Sequence, residues 1–158
     1  MTKLDERSER HLATLHPAIQ PRIVAFLSAA KSLAAARGLD VRIISGLRSY
    51  AEQDALYSKG RTLPGPRVTN ARAGFSNHNF GLAIDIGIFR AKEYLPDHAL
   101  YRELGPLGES LGLEWGGRWK FNDEPHYQFR PGWALGMTEA EMLTALRARV
   151  AKKVDILA

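Results

Sequence analysis

Apolar residues recur at helical spacing between residues 17 and 37. Ile19, Ile23, Phe26, Leu27, Ala30, Leu33 and Ala34 fall on one face, and Gly38 stands where a C-terminal cap belongs. The stripe predicts a helix packed on the core. A shorter helix is expected over residues 4–16, stopped near Pro17. The period then changes. Asp40-Val41-Arg42-Ile43-Ile44 reads as a short strand ending at Ser45-Gly46. Residues 81–89 alternate fully, with Leu82, Ile84, Ile86 and Ile88 against Gly81, Ala83, Asp85 and Gly87. This predicts a strand with one bulky apolar face and one face of small residues bearing a single charge, which leaves room for something other than side chains.

Between these strands, Ser49 followed by Glu52 is a capping box opening a helix over residues 50–59. Residues 60–77 carry Gly60, Pro64, Gly65, Pro66, Asn70 and Gly74 and read as a long loop. Loops of that length within a compact domain are usually functional or mobile. A helix is expected over residues 97–111, closed by Gly112. Leu113-Glu114-Trp115 reads as a short strand, followed by a glycine turn flanked by tryptophans, and residues 126–129 read as another strand. Thr138 and Glu141 form a second capping box for a last helix to about Val150. Helices and short hairpin-like strands without βαβ regularity predict an α+β fold, a small antiparallel sheet packed against several helices.

The 158 residues suit one domain, and no repeat, low-complexity segment or linker divides them. With 45% apolar and 25% charged residues, the chain is neither disordered nor fibrous. It has no cysteine, so any transition-metal site must draw on His, Asp, Glu or water. The N-terminal residues are charged, with no apolar run of signal-peptide length, and no segment approaches the roughly 18 apolar residues of a membrane span. A protein made soluble in a cytoplasm, without stable membrane insertion, is expected. The net charge of +5 favours an anionic partner, either nucleic acid or an acidic polymer such as bacterial cell wall. The basic residues are scattered apart from short groups at 61–72 and 147–153, and no nucleic-acid motif is present, so a nucleic-acid partner is not expected.

The chemistry concentrates in two stretches. Ser76-Asn77-His78-Asn79-Phe80-Gly81-Leu82-Ala83-Ile84-Asp85 places a histidine and an aspartate seven residues apart, and Asp123-Glu124-Pro125-His126 adds a second histidine beside carboxylates. A carboxylate in the most apolar strand is costly unless paired or metal-bound. Two histidines and one carboxylate can hold a catalytic zinc and leave a fourth position for water. His11, His16 and His98 have no carboxylate partner at ligand spacing. A hydrolytic site also needs a base, and spacing leaves two candidates. Glu124 shares a face with His126 if the segment is extended, whereas Asp123 or Glu124 could reach if it is still turning. Arg48, in a turn directly after a strand, is a candidate partner for a developing oxyanion.

Ser76-x-His78-x-x-Gly81-x-Ala83-x-Asp85 with Asp123-x-x-His126 resembles the zinc D-alanyl-D-alanine peptidases and the phage L-alanyl-D-glutamate endolysins. Ser45-Gly46-Leu47-Arg48-Ser49 and Gly112-Leu113-Glu114-Trp115-Gly116-Gly117-Arg118-Trp119 carry the likeness further, the second toward the endolysins. The resemblance spans roughly residues 25–133. It implies that His78, Asp85 and His126 bind zinc, that Asp123 is the base, that Arg48 stabilises the oxyanion, and that Ser76 has a substrate-side role. Trp115 and the loop at 60–77 are then candidate groove walls. The substrate it implies is bacterial peptidoglycan. Some members of the family carry a separate wall-binding domain, for which the 158 residues are expected to leave no room, and a monomer is expected. The expected activity is that of a phage endolysin cutting the L-Ala–D-Glu bond after release from the host cytoplasm. The alternatives are a D-alanyl-D-alanine carboxypeptidase and a non-catalytic zinc-containing module.

Overall fold

Strand β2 (Ala83–Arg90) is the spine of a five-stranded antiparallel sheet. The computed structural model describes residues 3–158. On one side β2 pairs with β1 (Asp40–Ser45), and on the other with β5 (His126–Gln128), which pairs in turn with β4 (Glu114–Trp115). β3 (Glu93–Leu95) folds back on the far end of β2. The apolar face of β2 behaves as its alternation predicts: Ile84, Ile86 and Ile88 are each fully buried. They meet Phe26 and Leu27 of helix α2 (Gln20–Ala35) and Leu104 of helix α4 (Leu100–Ser110) in one core. A short 3-10 turn at Pro17–Ile19 precedes α2, so the long helical stripe is one turn of 3-10 and then α-helix. Helix α1 (Glu6–Ala13) lies against β1, α3 (Tyr50–Ser58) opens at the Ser49–Glu52 capping box, and α5 (Glu139–Ala151) closes the fold. The α+β architecture expected from the periodicity is the one observed.

Three local features differ from expectation, each for a physical reason. The hairpin to β3 turns at Ala91, an alanine with φ of 53°, where no Gly, Asn or Pro signals a turn. Half of the open face expected on β2 is filled, because a Cβ on Gly87 would lie 2.9 Å from Ile44 and Phe89 and 3.1 Å from Tyr94. Room remains at Asp85, which lines a cleft. At Thr138 the hydroxyl accepts from the Glu141 amide at 3.2 Å, but the Glu141 carboxylate meets that hydroxyl rather than the backbone, so the box is half formed.

Among the described residues, no helix is long and apolar enough to cross a membrane.

Candidate active site

The open end of β2 is where the site forms. Asp85 is cross-strand neighbour to His126 on β5 and to Ser45 on β1, where a register shift between Ile43 and Ser45 marks a bulge. Bulges re-aim side chains at functional edges. His78 arrives on a 3-10 turn (Asn77–Phe80) capped by Ser76, whose hydroxyl accepts from the His78 amide at 3.2 Å. The result brings together the three ligands expected from the two motifs. One donor atom from each of His78, Asp85 and His126 lies within 4.8 Å of the others.

Each histidine is held by its other ring nitrogen. His78 Nδ1 is 2.8 Å from the Gly46 carbonyl oxygen, which leaves Nε2 facing Asp85 Oδ2 at 3.2 Å. His126 Nε2 is 2.8 Å from Gln128 Oε1, which leaves Nδ1 facing Asp85 Oδ1 at 3.2 Å. Two imidazoles with engaged outer nitrogens and a carboxylate between them form a donor set that suits zinc. Burial acts to raise the Asp85 carboxyl pKa, but His78 and His126 outweigh it and hold the group far below the usual carboxylate range. Burial acts to lower the His126 pKa, and hydrogen bonding and charge from Asp85, with help from Gln128 and Asp123, raise it instead.

The residues at 123–126 form a turn, with the His126 amide donating to the Asp123 carbonyl at 3.1 Å. The turn separates the two carboxylates between which spacing could not choose. Asp123 lines the cleft beside His78, Asp85 and His126. Glu124 faces away and pairs with Arg102 at 3.2 Å. The turn is held close by Gly116, whose carbonyl accepts from the Asp123 amide at 2.9 Å; a Cβ there would come within 2.4 Å of the Asp123 carbonyl. Asp123 is exposed at the cleft mouth, yet its carboxyl pKa is raised. The surrounding walls displace water from it and Asp85 repels its charge, and together they outweigh His126, His78 and Arg48. A carboxyl shifted upward is better matched to proton transfer near neutrality.

Arg48 lines the same cleft. Its guanidinium donates to Gln53 at 3.0 Å and to Ser45 at 3.1 Å and stands 3.7 Å from Asp85 Oδ2. Ser76 also lines it. The cleft has a volume of about 810 Å³, within the usual range for a small-ligand site. One wall is the segment between α3 and the His78 turn, from Val68 to Ala71. Side chains pin this long loop by its carbonyls: Arg61 donates to Thr69 at 3.1 Å, Gln53 to Ala71 at 2.7 Å and Arg147 to Gly74 at 2.8 Å.

Trp115 is not the groove wall expected of it. It is 7% exposed and belongs to the core, because Gly105 of α4 leaves room for its ring; a Cβ there would lie 2.3 Å away. Its indole N–H donates to the Glu124 carbonyl at 2.8 Å, so it braces the 123–126 turn from below. The tryptophan that does line the cleft is Trp119, with its ring 4.9 Å from that of His126. Gln128 went unmarked in the sequence, although its position two residues beyond His126 on a strand puts both on one face.

A family model described as D-alanyl-D-alanine carboxypeptidase matches residues 69–129. The chain is 41% identical over 128 residues to the peptidoglycan L-alanyl-D-glutamate endopeptidase CwlK of Bacillus subtilis (strain 168), covering 74% of each chain. Its fold resembles that of the L-Ala D-Glu endopeptidase ChiX of Serratia marcescens, with a TM-score of 0.57 and 24% identity over 79% of this chain and 87% of that one. The D,D-pentapeptidase VanY, solved with Zn(II), matches with a TM-score of 0.52 and 19% identity over 82% of this chain and 78% of that one.

Proposed function

The chain belongs to the M15 family of zinc metallopeptidases, and from that premise we propose that it hydrolyses the L-alanyl–D-glutamate bond in the stem peptides of bacterial peptidoglycan. The observation that carries this reading is the convergence of His78, Asp85, His126, Asp123 and Arg48 on one cleft. The choice of bond rests on the 41% identity to an endopeptidase of that specificity.

In this reading His78, Asp85 and His126 hold the zinc. When bound, the metal supplies a Lewis acid for the scissile carbonyl and lowers the pKa of a water toward ~7. The remaining work falls to the chain. Asp123 takes the proton as the water oxygen bonds to the carbonyl carbon, then delivers it to the nitrogen as the C–N bond breaks. Arg48, already fixed by Gln53 and Ser45, donates to the carbonyl oxygen as negative charge gathers there. Ser76 sits on the substrate side. Trp119 and the pinned loop wall the cleft in which these groups stand.

The test is to digest purified peptidoglycan and map the new termini. New L-alanine C-termini are expected. Release of D-alanine alone would move the protein to the second reading, a D-alanyl-D-alanine carboxypeptidase, which the description of the matching family model favours. A finer part of the proposal is a lytic role as a phage endolysin, reaching the wall after release from the cytoplasm. The likeness of residues 112–119 to that branch supports it. Expression in a bacterium should then lyse the cells only when the inner membrane is permeabilised, and lysis without permeabilisation would remove that part.

A further inference from the structure

From the edge of the His126 ring opposite Asp85, a row of polar side chains runs along the cleft wall, which Asn77, Gln128 and Glu139 line, to the first turn of α5. Gln128 Oε1 faces His126 Nε2 at 2.8 Å and accepts from Asn77 Nδ2 at 3.1 Å. The other end of the same amide, Nε2, donates to Glu114 Oε1 at 3.1 Å and to Glu139 Oε2 at 3.2 Å. Arg130 lies against both carboxylates, 2.8 Å from Glu114 and 3.6 Å from Glu139. Gln128 is 1% exposed and Asn77 is 3% exposed, so water has little access to the amide ends, while the two carboxylates are partly solvated.

The donor and acceptor chemistry leaves one consistent arrangement. An amide has a donor end and an acceptor end, and a carboxylate paired with arginine only accepts. The two glutamates therefore claim the NH2 of Gln128 and turn its oxygen toward His126. That oxygen cannot donate, so the proton of the neutral imidazole must sit on Nε2. The lone pair is then on Nδ1, the nitrogen that faces Asp85. Asn77 reinforces the choice, because its NH2 also donates to the Gln128 oxygen and to Glu139.

We propose that Gln128, aimed by Glu114 and Glu139, is a positioning residue that fixes the tautomer and ring orientation of His126 for the metal. The inference rests on the zinc-site reading above and deepens it, since it makes part of the metal affinity depend on carboxylates outside the His78–Asp85–His126 group. Polar partners of ligating histidines typically carry a 10–100-fold share of metal affinity.

The experiment measures zinc dissociation constants by chelator competition, with circular dichroism as a check on folding. Wild-type protein that binds no zinc would remove the zinc-site reading itself. If it binds, Gln128→Met, which keeps the volume and removes both ends of the amide, should weaken zinc about 10–100-fold. The double variant Glu114→Ala/Glu139→Ala alters two partly exposed side chains and should weaken it toward the lower end of that range, about 10-fold. Wild-type affinity in Gln128→Met overturns the proposal, and wild-type affinity in the double variant removes the aiming role of the glutamates. A further reading requires no variant. Nitrogen-15 NMR of the zinc-loaded wild type should show His126 protonated on Nε2 with slow solvent exchange. A proton on Nδ1 overturns the proposal whatever the variants do.

Discussion

Lys31 and Asp85 are both charged side chains drawn back from solvent, and their surroundings differ in what is left unsatisfied. Lys31 is 7% exposed on α2, with its ammonium 3.2 Å from Asp5 and 2.9 Å from Asp40. Those carboxylates have further donors of their own, from Ser8 at Asp5 and from Val41 and Arg42 at Asp40. The protein closes that cluster by itself, and it ties α1, α2 and β1 together. Asp85 instead faces two imidazoles whose outer nitrogens are already engaged, so its free lone pairs and theirs point at the same space on a cleft floor. A second carboxylate, Asp123, stands beside them, with Arg48 as the cation at hand. Charge that is fully paired inside a fold is a clamp. Donor atoms that converge on a cleft form a place for a ligand.

This contrast can be broken in order of expected effect. Removing metal with a chelator should reduce peptide hydrolysis to background and leave the helical circular dichroism near that of the loaded protein; zinc should restore activity. Global unfolding on chelation would instead make the site a clamp like the first. Asp123→Asn should lower kcat by about 10²–10⁴-fold while zinc still binds stoichiometrically, as expected for a lost general base. Glu124→Ala should leave kcat near wild type, because Glu124 faces Arg102. The reverse ranking of these two variants would reassign the base. Arg48→Ala should cost about 10²–10³ in kcat, the usual share of one oxyanion donor, and a change confined to KM would give Arg48 a substrate-holding role instead.

The Lys31 cluster should respond in stability and not in chemistry. Lys31→Met leaves two partly solvated carboxylates facing an apolar side chain. It should cost about 2 kcal/mol, less than the ~3–5 of a fully buried broken pair, with kcat unchanged. Denaturant unfolding checks the first value and steady-state kinetics the second. The smallest effect is on pH dependence. Burial acts to raise the Asp5 and Asp40 carboxyl pKa values; bonds from Ser8 and Lys31 at Asp5, and from Lys31 and Arg42 at Asp40, outweigh it and lower both below 3.8. A carboxyl lowered in the folded state stabilises above its unfolded pKa and loses that contribution as pH falls through the folded value. Wild-type unfolding free energy should therefore drop below about pH 4, and Lys31→Met should lose less across the same interval. Parallel pH profiles for the two proteins would mean that Lys31 does not set those pKa values.

Much of the fold was legible because it is periodic. The α2 stripe, the alternation of β2 and the Ser49–Glu52 cap each announce a local structure with its own hydrogen bonds. The hairpin at β3 was not legible, since Ala91 carries no turn chemistry, and pairing with β2 together with Arg42 donating to the Ala91 carbonyl at 3.1 Å holds it at positive φ. The site was legible in the same partial way. The histidines and Asp85 stand at recognisable spacing, yet Trp115 and Trp119 flank the same glycines and took opposite fates. Gly105 of α4, ten residues before Trp115 and packed against its ring, opened a place for one ring and not the other.

The sequence by itself determined the apolar faces, the caps and the residue types able to hold a metal, because those depend on neighbours a few positions away. The tertiary structure decided which nitrogen of each histidine faces Asp85, which of two adjacent carboxylates enters the cleft and which tryptophan walls it. Those outcomes depend on partners distant in the chain. Gly46 holds His78 from 32 residues away, Gly116 and Trp115 hold the Asp123 turn, and Asn77 joins Gln128 across 51 residues. Direction in space is set by such long-range hydrogen bonds, and residue spacing alone does not carry it.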